Sequence, residues 1–146
     1  MTLVRSIRWT LCIPTLLASS CSPGITEPVV ALLPAVLEFD GRPVDIPTPA
    51  TASVGMPITV TFRSAGGGCT RTGPTTASVQ GLVAVIEPFD SVVTKLPPNW
   101  GCPMILRALE HTATVRFAAP GTATIQVVGR RADDAALVIE RTVVIQ

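Results

Sequence analysis

His111-Thr112-Ala113-Thr114-Val115-Arg116-Phe117-Ala118-Ala119-Pro120-Gly121-Thr122-Ala123-Thr124-Ile125-Gln126-Val127-Val128-Gly129 is the stretch whose reading decides the fold class. Ala113, Val115 and Phe117 alternate with polar neighbours, Pro120-Gly121 interrupts, and Ala123, Ile125 and Val127 alternate again. One face receiving every second side chain is the period of a strand, not of a helix. Pro-Gly is a turn signal. The stretch therefore predicts two half-buried strands joined by a tight turn.

The same period extends outward in both directions. Leu137, Ile139, Val143 and Ile145 follow it towards the C-terminal end, and Ala35, Leu37 and Phe39 towards the other. Val54, Met56, Ile58, Val60 and Phe62 give five apolar residues at a spacing of two, separated in part by Thr59, Thr61 and Arg63. Val79, Val83 and Val85 continue the pattern around Gly81. No stretch has the i, i+3, i+4 spacing of an amphipathic helix, and only Met104 to Leu109 has room for a turn or two. Fourteen prolines and eleven glycines punctuate the strands. About seven short strands with turn signals between them predict an all-β, two-sheet sandwich.

The first twenty residues follow a different grammar. Arg5 and Arg8 make a basic start, Trp9 to Ala18 an apolar run, and Ala18-Ser19-Ser20 a small-residue site, which is the order of an export signal. The run has about half the ~20 apolar residues of a membrane-spanning helix and contains Pro14. Cys21 follows at once, and this arrangement resembles the lipobox of bacterial lipoproteins, with Ala18 where that family prefers Leu. The resemblance implies that Cys21 carries a diacylglycerol and becomes the first residue after cleavage. Ser22 after the cysteine implies the outer membrane, with the protein facing the periplasm or the cell surface. An ordinary secretory signal with Cys21 incidental is the alternative. The organisation expected is a signal at 1–20, a lipidated N-terminus and tether at 21–34, and a single domain at 35–146.

Without the signal, nine basic residues face ten acidic ones, a net charge of about −1. No clustered basic face points to nucleic acid as a partner. Cys12 leaves with the signal and Cys21 is the lipid candidate, so Cys69 and Cys102 remain. Two thiols in an oxidising compartment are expected to form a disulfide. One histidine and no C-x-x-C pair do not make a usual zinc site, so neither metal nor cofactor is expected.

The stretch from His111 to Gly129 also resembles the back half of bacterial immunoglobulin-like domains, and Val54-Gly55-Met56-Pro57-Ile58-Thr59-Val60 resembles a strand entry near their front. The resemblance implies an immunoglobulin-like β-sandwich of about seven antiparallel strands and carries over no functional residue. It makes 54–64 the second strand and 112–117 the fifth. Cys69, Cys102 and the loop from Gly129 to Ala136 then share one end, and the disulfide joins two loops there instead of crossing the core.

Four further features bear on function. His111 invites catalysis but stands at the start of a strand with no nucleophile marked by a motif, so a structural role is expected and no catalytic residue is assigned. Gly66-Gly67-Gly68 lacks the following Gly-Lys-Ser/Thr of a phosphate loop and reads as a flexible approach to Cys69. Asp133-Asp134, beside Arg130-Arg131, shows two of the six or more oxygen ligands that calcium needs and reads as a solvated loop tip. Trp100, in Pro97-Pro98-Asn99-Trp100-Gly101-Cys102, is expected to cover the disulfide. Arg71, Trp100, Arg130 and Arg131 are the expected partner-binding loop residues. The function expected is a lipid-anchored, non-enzymatic envelope domain for binding, adhesion or assembly, held to a membrane and meeting an envelope protein. An accessory subunit of an envelope complex is the alternative, and a carbohydrate-binding or hydrolytic protein a more distant one.

Overall fold

The computed structural model describes residues 27–146. The signal and Cys21 lie outside the described residues. The chain is all-β: β1 (Val29–Pro34), β2 (Glu38–Phe39), β3 (Arg42–Pro43), β4 (Thr51–Ala52), β5 (Ile58–Gly66), β6 (Thr70–Gln80), β7 (Val83–Lys95), β8 (Arg107–Val115), β9 (Gly121–Arg130) and β10 (Ala136–Ile145). Among the described residues no helix is long and apolar enough to cross a membrane. Met104–Leu109, which had room for a turn or two of helix, forms none. Arg107 onward is strand β8, whose alternation from Leu109 through His111 to Val115 sets the period.

β7 organises the larger sheet. β6 runs antiparallel along one side of it, from Thr70 opposite Val92 to Gln80 opposite Val83. Two strands share the other side: β9 lies parallel along Val83–Ile86, and β1 antiparallel along Phe89–Lys95. The handover falls at Glu87-Pro88, where Pro88 has no N–H to give. β10 pairs antiparallel with β9 over its whole length, and β4 adds a parallel edge to β10. β5 and β8 form a separate antiparallel pair, Ile58 opposite Val115 through Gly66 opposite Arg107. Val36 links the two, bridging Ala65 of β5 and Arg130 of β9. The expectation of about seven antiparallel strands is thus corrected to ten among the described residues, with parallel pairs at β7–β9 and β4–β10.

A single apolar cluster draws on both sheets: Ile58, Val60, Phe62, Ala113 and Val115 from the β5–β8 pair, and Ala84, Ile86, Ala123, Ile125, Val127, Leu137, Ile139, Val143 and Ile145 from the other. Each large aliphatic side chain fully buried there contributes about 1.5–3 kcal/mol. Leu37, Val44, Ile46 and Phe117 join from the connections. At position 129 a Cβ would lie 2.5 Å from the Ala35 carbonyl oxygen, so glycine there lets the Ala35–Leu37 segment bond to β9.

Three assignments shift. Val54 and Met56 are exposed, because a turn at Ser53–Gly55, with Gly55 at φ 75, delays the strand to Ile58. Val79 and Val83 are exposed, and Ala84 and Ile86 are the buried pair. The run Val83-Ala84-Val85-Ile86 is apolar on both faces, so its own composition does not choose between them. Val29–Pro34, expected in the tether, belongs to the fold as the partner of β7.

Candidate functional site

Two places bring chemistry-bearing side chains together. The first is buried. Ser64 of β5, Asp90 of β7 and His111 of β8 are each 1% exposed or less. They lie where the period of each strand puts an inward side chain. The Ser64 hydroxyl donates to Asp90 Oδ2 at 2.9 Å and lies 3.0 Å from His111 Nε2. His111 Nδ1 lies 3.0 Å from Thr75 Oγ1 of β6. Asp90 Oδ1 receives no hydrogen bond of normal geometry, and its counterpart is His111 Nε2 at 3.2 Å. Phe62, opposite His111 in the strand register, stacks on the imidazole at 5.6 Å between ring centres.

Proton accounting assigns the roles. Ser64 has one hydroxyl proton, and it goes to the Asp90 carboxylate. The Ser64 oxygen must therefore accept from His111, which puts a proton on Nε2. In an acyl-transfer triad the hydroxyl and the carboxylate sit on opposite imidazole nitrogens, so that one nitrogen can take the hydroxyl proton. Here both sit on Nε2, and neither Ser64 nor His111 is open to a substrate. The cluster is a polar pin through β5, β6, β7 and β8, joining the two sheets. The sequence marks His111 but not its partners. Ser64 and Asp90 continue the inward periods of Ile58–Phe62 and Ala84–Pro88, and that is the signal that could have found them.

The second place is the end that carries the disulfide. Cys69 and Cys102 are bonded across a sequence separation of 33, with Cα atoms 5.3 Å apart. Cys69 sits in a turn closed by Thr70 N–H on the Gly67 carbonyl at 3.0 Å. A Cβ on Gly68 would lie 2.2 Å from the Pro103 carbonyl oxygen, so the two loops can meet only over a bare glycine. The glycine run is thus explained by close backbone approach at Gly68. Gly68→Ala is expected to lower stability by about 1–3 kcal/mol through the forced separation and to raise the fraction of free thiol after oxidative refolding. A thiol titration and a urea midpoint both unchanged from wild type would refute this account.

The expected binding residues do not gather into one site. Trp100 is 62% exposed. Arg71, opposite Ser91 in the register, lines a cavity with Thr72, Arg107 and Leu109. Arg130 is committed to the fold: its Nε donates to the Pro34 carbonyl at 2.8 Å, its guanidinium pairs with Asp134, and its backbone bonds to Ala35 and Leu37. Arg131 reaches Glu38 at 3.3 Å. Asp133 Oδ1 accepts from Ala135 N–H at 3.1 Å, which makes this acidic pair part of a closed turn. The turn does stand beside the disulfide end, because Ala132, Gly66, Gly67 and Leu106 line one cavity of about 300 Å³.

A larger concavity of about 560 Å³ lies over the outer face of β5 and β8, between Phe39, Arg42, Asp45, Thr61, Arg63 and Glu110. Its charges are largely engaged by one another or by neighbours: Arg63 with Glu110 at 3.8 Å, and Asp45 with Arg141 at 3.6 Å. Among the described residues no group of three or more His, Cys, Asp or Glu side chains is placed to hold a metal ion. Comparison with protein-family models, curated proteins and solved structures returns no match to this chain.

Proposed function

We propose that the chain is a lipid-anchored, non-enzymatic domain of the cell envelope that binds, adheres or assembles through the loops at its disulfide end. The observation that carries this reading is the disposition of its cysteines. Cys69 and Cys102 are consumed by one disulfide, a bond suited to an oxidising compartment. Cys21 stands directly behind a basic, then apolar, then small-residue segment. The burial of Ser64, Asp90 and His111 supports a non-enzymatic role, because substrate has no path to them. An immunoglobulin-like sandwich is supported by the antiparallel β5–β8 pair, the β9–β10 hairpin after Pro120, and a core shared by both sheets. The parallel β7–β9 pair is its departure from that pattern.

Expression of the full chain in a lipoprotein-competent bacterium tests the anchor. The intact mass of the membrane-extracted protein, taken without reductant, should fit a chain starting at Cys21 with diacylglycerol added and two hydrogens missing. An unmodified chain in the soluble periplasmic or secreted fraction would overturn the anchor and leave a free-standing disulfide-bonded domain.

A further inference from the structure

The loop between β7 and β8 does something unusual with its apolar residues. Trp100 is 62%, Met104 103%, Ile105 53% and Leu106 67% exposed. They stand out on a segment that the disulfide and the Gly68–Pro103 approach hold against the body of the domain. A mobile tail could fold such residues away, but a pinned loop holds them out. Exposed apolar residues this concentrated mark a surface meant to be covered.

The composition around them narrows the occupant. From Ser91 to Leu109 there is no Asp or Glu, while Lys95 and Arg107 are both present and exposed. A tryptophan with aliphatic residues, flanked by cations and without anions of its own, is the make-up of a segment that sits at the interface of an anionic bilayer; Glu38 and Asp40 face it only across a cavity beside Leu106. Chain direction supplies an independent argument. Val29 pairs with Lys95, so the chain leading back to Cys21 enters at the end of β7 that carries this loop. Eight residue steps separate Cys21 from Val29, a reach of at most about 28 Å. A lipid on Cys21 would therefore hold this end towards the membrane.

We infer that Trp100, Met104, Ile105 and Leu106 form a second membrane contact, seating the domain loop-first on the bilayer that holds its lipid. This rests on the lipid-anchor reading for its orientation. A single point of lipid attachment leaves a domain free to tumble at its tether, and a second contact fixes which face is turned to the cell envelope's other proteins.

Tryptophan makes the test direct, because Trp9 and Trp100 are the two in the chain. Protein expressed from the full sequence with Trp9→Phe, so that Trp100 is its one tryptophan whether or not the signal is cleaved, is purified from membranes and reconstituted into phosphatidylethanolamine–phosphatidylglycerol vesicles, with and without brominated acyl chains. Trp100 emission should move to shorter wavelength on reconstitution and lose intensity with brominated lipid. Met104→Asp should abolish both effects with the melting curve unchanged, since that side chain is wholly exposed. Emission that stays at the solvent-exposed wavelength with no bromine quenching overturns the contact. A short-wavelength emission already present without vesicles also overturns it and gives the patch to association between copies. The intact mass of the same sample decides the anchor separately, and a chain without lipid can still be scored for quenching on added vesicles.

Discussion

Asp90→Ala is expected to cost about 3–5 kcal/mol, because it leaves the buried Ser64 hydroxyl and His111 Nε2 unmatched, at about 1–3 kcal/mol each, and empties the space of a buried side chain. Ser64 loses the acceptor for its proton, and His111 Nε2 loses the carboxylate 3.2 Å away. Neither can turn to water, since both are 1% exposed or less. For a domain of this length the loss lowers the melting temperature by on the order of 10–20 °C. Urea denaturation monitored by circular dichroism reads it as a lower midpoint. A shift below about 1 kcal/mol would mean that the pin contributes no more than an exposed pair does.

A companion variant separates polar matching from simple filling of space. Ser64→Ala, Asp90→Leu and His111→Leu together remove every member of the pin that is buried. Buried ionic clusters replaced by apolar residues of similar volume are often neutral in stability or better. The triple variant should therefore recover much of what Asp90→Ala alone loses, although Thr75 then has no imidazole partner. What it should lose is precision in how β5–β8 packs on β6–β7, because hydrogen bonds fix a relative position that apolar contacts leave looser. Broadened amide resonances in Ile58–Gly66 and Arg107–Val115 would register that loss. A triple variant no more stable than Asp90→Ala would show that the cost lies in packing instead.

The strands most legible in the sequence are those with one polar and one apolar face. β8, β9 and β10 carry their alternation on the surface of the sequence, and Ala113, Val115, Ile125, Val127, Ile139 and Val143 are buried as that period requires. Legibility fails where both faces are apolar, as in Val83–Ile86, or where a turn truncates a period, as at Ser53–Gly55. It fails again for β2 and β3. Their turn, Asp40-Gly41 at φ 47 and 73, is a two-residue hairpin signal lying in plain view. Pairing is a different kind of unknown. Nothing local in β7 tells that its two halves take different neighbours, one parallel and one antiparallel, because that depends on where β1 and β9 arrive. The pin was half legible for the same reason: its members are ordinary inward positions, and only the meeting of four strands makes them a unit. Arg141 shows the converse. It takes an inward position between Ile139 and Val143, and its Nε bonds the Ile46 carbonyl at 3.2 Å while its carbon chain stays half-buried.

Loss of the disulfide is the other large effect. Closing a loop over a separation of 33 residues constrains the unfolded chain by about 3.7 kcal/mol on the chain-entropy estimate. Cys69→Ala with Cys102→Ala should therefore approach the cost of Asp90→Ala, and adding reductant to the wild type should reproduce it. The two losses differ in place. Asp90→Ala loosens the junction of the sheets, whereas the cysteine variant frees the loop from Leu96 to Leu106, which no strand pairs. Limited trypsin digestion distinguishes them, because Lys95 and Arg107 bracket that loop. Cleavage there should accelerate in the cysteine variant at a temperature where the core is still folded. The distinction matters for function: with the loop unpinned, Met104–Leu106 can fold back onto Val92 and Val93, which already share a cavity with them, and carry Trp100 away from the surface. Vesicle quenching of Trp100 should then fall even though every residue of the proposed contact is intact. Undiminished quenching in the cysteine variant would show that loop composition alone makes the contact and that the disulfide serves stability only.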